Sequence, residues 1–281
     1  MRTTKLDRRL SQIFLSLVPF LIFSSALVRS LRQPVVHSVV VGLFLVAIVV
    51  AVWRLGAWPI RDDGRKGFAL AGVMLIAPWA VLSALVGLGP PWQATAAENR
   101  LRFAALLVAG ILITGAFVVL REALRDAGER RYSILGFAAI ILAGPLSVIF
   151  ALFPLALEDV ALQQRGVAHP PEWFSSLQNL SELALVVEVI LIYLAIAAFA
   201  VALRRTGWLG GISSRVFVAI SFFAILCLVV TIAVSLQHPD DPTAVFKSKV
   251  AIPGFVVSIP AIPLIMPCLI GAKVLGRAGD E

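Results

Sequence analysis

Eight apolar runs of about twenty residues succeed one another along this chain, and its charged residues fall almost entirely between them. A run of that length crosses about 30 Å of hydrocarbon as an α-helix. Lipid offers the backbone no hydrogen bonds, so a spanning segment has to satisfy its own, and a run that is apolar all round does so as a helix. The runs cover residues 13–28, 35–53, 67–89, 101–120, 133–157, 180–203, 215–236 and 250–275. Composition points the same way: 60% of the residues are hydrophobic and 14% charged, against roughly 45–50% and 25% in soluble domains. The expected fold is therefore an all-α, polytopic integral membrane bundle of about eight transmembrane helices. No connection is long enough to fold alone, so residues 1–281 are read as one transmembrane domain whose first partner is the lipid bilayer.

The net charge of +8 would suit a phosphate-bearing partner, but its placement speaks against nucleic acid. Lys and Arg are retained preferentially on the cytoplasmic side of a membrane. The N-terminal tail, the connections 54–66, 121–132 and 204–214 with Arg215, and the C-terminal tail hold 17 of them, and the alternate connections hold 7. The expected location is a bacterial plasma (inner) membrane with both termini cytoplasmic. Run 13–28, preceded by Arg2, Lys5, Arg8 and Arg9, also has the form of a signal peptide. It is counted as the first span because losing one span would break the charge alternation. Trp53, Trp58, Trp92, Trp173 and Trp208 fall at water boundaries, where an indole is favoured, and Trp79 alone lies deep. A short interfacial helix is expected within 158–179, around Trp173 and Phe174. Arg54-Leu55-Gly56-Ala57-Trp58 after span two resembles Arg205-Thr206-Gly207-Trp208 after span six, which opens the reading of a weak 4+4 internal repeat. Cys227 and Cys268 sit inside spans at different depths, so no disulfide is expected.

Two features inside the spans carry the functional leads. Pro253, Pro260, Pro263 and Pro267 recur at spacings of seven, three and four in span eight, which places them on one helical face. Each interior proline removes a bond to the carbonyl four residues earlier, so the carbonyls of Val256, Ile259 and Pro263 need other partners, and Ser258 is a nearby hydroxyl. A broken helix lining a midplane cavity, as in many carriers, and a kinked, tightly packed helix are both open. The second lead is Glu188, the one charged side chain well inside a span, about 12 Å from the outer boundary at 1.5 Å per residue. An intramembrane carboxylate is costly unless protonated, hydrated or paired, and His37, Arg102 and Lys249 are its candidate partners. Glu188, Pro260, Pro263, Pro267, Ser258 and His37 are thus the candidate cavity or pathway residues.

His37, His169 and His238, with Glu98, Glu158, Asp159, Glu172, Glu182, Asp240 and Asp241, map to the outer side, but no HExxH-type spacing occurs among them. Phosphate-loop, dinucleotide and haem signatures are absent too, so no catalytic residue, cofactor or metal is assigned. The leading expectation is a non-ATP-hydrolysing transporter or permeation protein for a small solute, lipid or ion. The alternatives are an assembly or scaffold subunit, with membrane-protein partners or further copies of itself, and a membrane enzyme acting on a lipid-linked substrate at the outer surface.

Overall fold

The computed structural model describes residues 5–57, 63–163, 171–237 and 247–279. Among the described residues seven helices are long and apolar enough to cross a membrane: α1 (Lys5–Ala26), α2 (Pro34–Val52), α3 (Asp63–Leu82), α4 (Ala96–Asp126), α5 (Arg131–Gln163), α6 (Glu172–Arg205) and α7 (Gly211–Gln237). The eighth expected span is not continuous. It consists of a short helix α8 (Ile252–Val257), a run of turns over 258–264, and a second helix α9 (Ile265–Ala278).

Proline density explains the break. Pro19, Pro78, Pro145 and Pro154 each lie inside a helix that runs on through them, because a single missing N–H can be absorbed by neighbouring helices and local adjustment. Pro260 and Pro263 lie three residues apart with Pro267 a turn later, and no helical turn between them has its full set of donors. The freed carbonyls of Val256 and Ile259 find backbone partners close by. The Ile259 N–H donates to Val256 O at 3.2 Å and the Ile262 N–H to Ile259 O at 2.8 Å, with Ile265 donating to Ile262 O at 3.1 Å. These are i to i+3 bonds, the tighter turn that keeps a helix terminus satisfied.

Helices α3 to α7 pack in chain order, each against the next, and the broken segment closes the ring: α8 lies on α7, while α9 lies on α3 and α1. α2 stands at the edge of the bundle with Val35, Val39, Leu43, Val46 and Val49 exposed, an apolar surface suited to acyl chains. The Arg8 guanidinium donates to Gly276 O at 3.0 Å, so the beginning of α1 and the end of α9 share one face of the bundle, called here the terminal face.

The helices overrun the expected spans at several ends. α4 continues to Asp126, where Glu122 pairs with both Arg121 and Arg125, and the connection expected over 121–132 shrinks to residues 127–130. Glu129 then caps α5, its carboxylate accepting from the N–H groups of Tyr132 at 3.0 Å and Ser133 at 2.9 Å, an arrangement that satisfies two of the orphan donors of a helix start. The separate interfacial helix expected around Trp173 and Phe174 is instead the first two turns of α6. No breaker residue separates Trp173 from Leu180, and Phe174 is buried beside Phe153 of α5, 6.1 Å between ring centres. Trp53 and Trp173 are exposed at helix ends, whereas Trp208 stacks on Phe68 at 4.0 Å. The segments behind the repeat reading end their helices differently: residues 53–57 form a π-turn, and Gly207 terminates α6 at φ 79°. Trp58, His169, His238, Asp240 and Asp241 lie outside the described residues.

Opposite the terminal face, the start of α4 is tied down by charge. Thr95 and Glu98 form a reciprocal capping box. Arg32 makes a bidentate pair with Glu98, and Arg100 pairs with Asp159 at the end of α5. Beneath them, Asn99, Arg102 and Glu158 are buried together. The Asn99 amide donates to Glu158 Oε1 at 2.8 Å, and Arg102 donates to Asn99 Oδ1 and to Gly89 O, the latter at 2.7 Å. A buried charge of each sign is thereby hydrogen-bonded, the condition under which such groups are tolerated in low dielectric.

Candidate functional site

Glu188 owes its position to the register of α6. Ser181, Ala184, Glu188, Ile192, Ala195, Phe199 and Leu203 are all buried and follow one another at intervals of three or four, which is the stripe that a helix turns toward its neighbours. Glu188 therefore points into the bundle, and its residue is only 8% exposed. It lies 16 residues after Glu172 and 17 before Arg205, about 24 Å from either end of α6 at 1.5 Å per residue. The expectation placed the outer boundary at Leu180, and α6 extends two turns beyond it.

The carboxylate faces a small cavity walled by Leu106 and Gly110 of α4, Ser147, Phe150 and Ala151 of α5, and Pro260 and Leu264 of the break. Its free volume is about 10 Å³, the room of a single water. One carboxylate oxygen is hydrogen-bonded to the Ser147 side chain, while Oε2 is buried with no partner. Ser147 is brought within reach by Gly110: a Cβ there would stand 2.1 Å from Ser147 Oγ. α4 and α5 thus meet at a glycine, as small residues allow in membrane helices, and the serine hydroxyl turns toward α6.

The wall contributed by the break is held in place by Trp79 of α3. This indole is 1% exposed, and its Nε1–H donates to the carbonyl of Leu264 at 2.9 Å. Leu264 O also accepts from the Cys268 N–H at 3.3 Å, the first turn of α9. A buried tryptophan generally needs an acceptor for its N–H, and here the acceptor belongs to the irregular backbone.

The candidates named from the sequence are thus partly brought together. Glu188 and Pro260 share the cavity; Pro263 and Pro267 are buried near the start of α9 and do not line it. The Ser258 hydroxyl, just past the end of α8, donates back to Phe255 O at 2.8 Å. His37 lies by the connection after α3, its Nδ1 2.8 Å from Val86 O. None of the partners considered for Glu188 reaches it: His37 and Arg102 are engaged elsewhere, and Lys249 is exposed at the start of α8. The partner is Ser147, which sequence reading missed, as it missed the role of Trp79 and Gly110. Among the described residues no group of three or more His, Cys, Asp or Glu is gathered as a metal site. Cys227 and Cys268 are both free and buried.

A larger cleft of about 690 Å³ opens on the terminal face between Arg121, Arg125, Asp126, Arg130, Ser133 and Ile134. It is wide and exposed, and Arg121 and Arg125 answer to Glu122, to Asp126 and to the ring of Phe137. Size alone does not make it the site: of the two buried polar atoms without a partner among the described residues, Glu188 Oε2 and Ser221 Oγ, the carboxylate is the one that can carry charge, and it faces a different cavity. The chain matches no protein-family model, and no curated protein or solved structure shows significant similarity to it.

Proposed function

We propose that this protein is a transporter or permeation protein that does not hydrolyse ATP, in which Glu188 and the broken eighth segment form the site that contacts a small solute or ion. One observation carries the reading: a mid-helix carboxylate with an unsatisfied oxygen faces a cavity whose wall includes the helix break. Intramembrane carboxylates mark ion and solute paths, and discontinuous helices at mid-membrane form binding sites in carriers. The small cavity suits an occluded form. A rocking of α8 and α9 against α6 would open it, since the irregular turns at 258–264 join them.

Charge displacement on supported membranes tests this directly. Full-length protein in liposomes is exposed to jumps in pH, in monovalent cations and in a panel of amino acids and sugars. Wild-type protein is expected to give transient currents for at least one jump, and Glu188→Gln, nearly isosteric, to reduce them at least tenfold without loss of folded protein. Wild-type silence on every jump, or an unaltered Glu188→Gln, would leave an assembly subunit as the better account.

The orientation that accompanies this reading puts the terminal face in the cytoplasm. Because both native cysteines are buried, single cysteines at Arg125 and Ser176 can be read against a quiet background. An impermeant thiol reagent added to intact cells is expected to label Ser176→Cys and spare Arg125→Cys; the reverse pattern inverts the topology.

A further inference from the structure

We infer that the particle received by the Glu188 cavity is a proton, and that alkali cations are excluded from it. This deepens the transport reading and rests on it. A cation stripped of water needs a shell of oxygens in place of its hydration, and the cavity does not supply one. Its side chains offer Glu188 Oε2 and the Ser147 hydroxyl; the rest of the wall is Leu106, Phe150, Ala151, Pro260, Leu264 and a glycine. Three backbone oxygens at the wall are already engaged. Gly110 O accepts from Thr114 Oγ1 at 2.9 Å, Phe150 O from Ser181 Oγ at 3.4 Å, and Leu264 O from Trp79. Even with the carbonyl of Pro260 added, no shell closes around a cation, and about 10 Å³ leaves no room for one that keeps its waters.

A proton needs none of this. It binds one oxygen of the carboxylate, neutralises it, and is returned to water as the same single positive charge when the site opens. The neutral acid then keeps the Ser147 bond on one oxygen and has an O–H to donate from the other, which is the atom without a partner. The surrounding elements leave this exchange undisturbed by other charges. α4 and α5 bring no titratable group to the wall, and their nearest charges on that side, Arg102 and Glu158, are bound through Asn99, eight residues from Gly110 and eleven from Ser147. α7 carries no charged residue between Arg215 and Gln237, and its one titratable side chain there is the thiol of Cys227. On α9 the Cys268 thiol lies 3.7 Å from Leu15 O. On α6 itself the nearest titratable groups are Glu182, toward the helix start, and Tyr193.

Infrared difference spectroscopy reads the site without knowledge of the solute. Full-length protein in phosphatidylcholine and phosphatidylglycerol vesicles is titrated in choline chloride, and choline is then replaced by Na⁺ or K⁺ at fixed pH. The expected result is a protonated-carboxyl band that fades as pH rises, is lost in Glu188→Gln, and is unmoved by either cation. Should Glu188→Gln not fold, Ser147→Ala serves instead, shifting the frequency of the same band through loss of its hydrogen bond. A band removed by Na⁺ or K⁺ at constant pH overturns the proton assignment and leaves the transport reading standing. A carboxyl band fixed across the whole accessible pH range overturns both, since Glu188 is then a permanently neutral structural acid.

Discussion

Gly254→Ala is expected to detach the first half of the broken segment from α7 and to abolish activity. An added Cβ would stand 1.9 Å from Thr231 Oγ1 and 2.2 Å from the carbonyl oxygen of Cys227. The hydroxyl is the end of a short side chain, but the carbonyl belongs to the backbone of α7 and cannot swing aside. Overpacking a tight contact costs typically about 1–3 kcal/mol and occasionally more; with backbone on both sides, the upper part of that range applies. A second loss follows. Thr231 Oγ1 lies 2.8 Å from Ala251 O as well as 3.0 Å from Cys227 O, so it ties the start of α8 to α7, and displacement of Gly254 breaks that tie. Thermal unfolding in lipid nanodiscs is the measurement. Gly254→Ala should melt well below the parent, and Thr231→Ala, which removes one hydrogen bond worth about 1 kcal/mol, should fall between them. Adding Thr231→Ala to Gly254→Ala should recover little, because the Cys227 carbonyl remains in the way. A Gly254→Ala protein as stable as the parent would mean that α8 does not seat on α7 as described.

What could be read from the sequence, and what could not, follows from the range of the forces involved. The spanning helices were legible because burial in lipid is written into long runs of local composition. Lys and Arg placement gave the alternation of faces, and the bond between Arg8 and Gly276 joins the two ends that this alternation puts together. The break was half legible. Proline spacing located it, yet the same spacing fits a kink, and the turns that repair Val256 and Ile259 depend on ψ angles that a residue pattern does not report. Glu188 was legible as a buried acid because the three-and-four spacing of α6 is a local property. Its partner was not. Ser147 is one hydroxyl in an apolar helix, and such a serine usually bonds the carbonyl four residues before it. It meets Glu188 because Gly110 lets α4 close on α5, a contact between residues 37 apart. The charged layer at the far ends of α4 and α5 shows the same limit: Arg102 is a candidate partner for Glu188 by sequence, but Asn99 and the Gly89 carbonyl hold it.

Trp79→Ala is expected to be among the most damaging substitutions in the protein, and Trp79→Phe separates the two reasons. The side chain is 1% exposed within the main core, and deletion of a buried aromatic costs about 3–5 kcal/mol through lost contacts and the void left behind. Phe keeps most of the ring and removes the N–H. Leu264 O then retains only the 3.3 Å bond from Cys268, and an acceptor deprived of its shorter bond in low dielectric costs about 1–3 kcal/mol; measured side-chain bonds in membrane bundles, mostly nearer 0.6 kcal/mol, favour the lower part of that range. The consequence for function should exceed the consequence for stability. Leu264 is a wall of the Glu188 cavity, and Trp79 is what fixes its backbone where no regular helix does. Trp79→Phe should therefore melt only modestly below the parent while losing most of the current or moving the Glu188 carboxyl band. Trp53→Phe, at an exposed indole 61% accessible, should change neither. If Trp79→Phe instead loses stability and function in proportion, Trp79 is a core residue like any other, and the broken segment is held by packing alone.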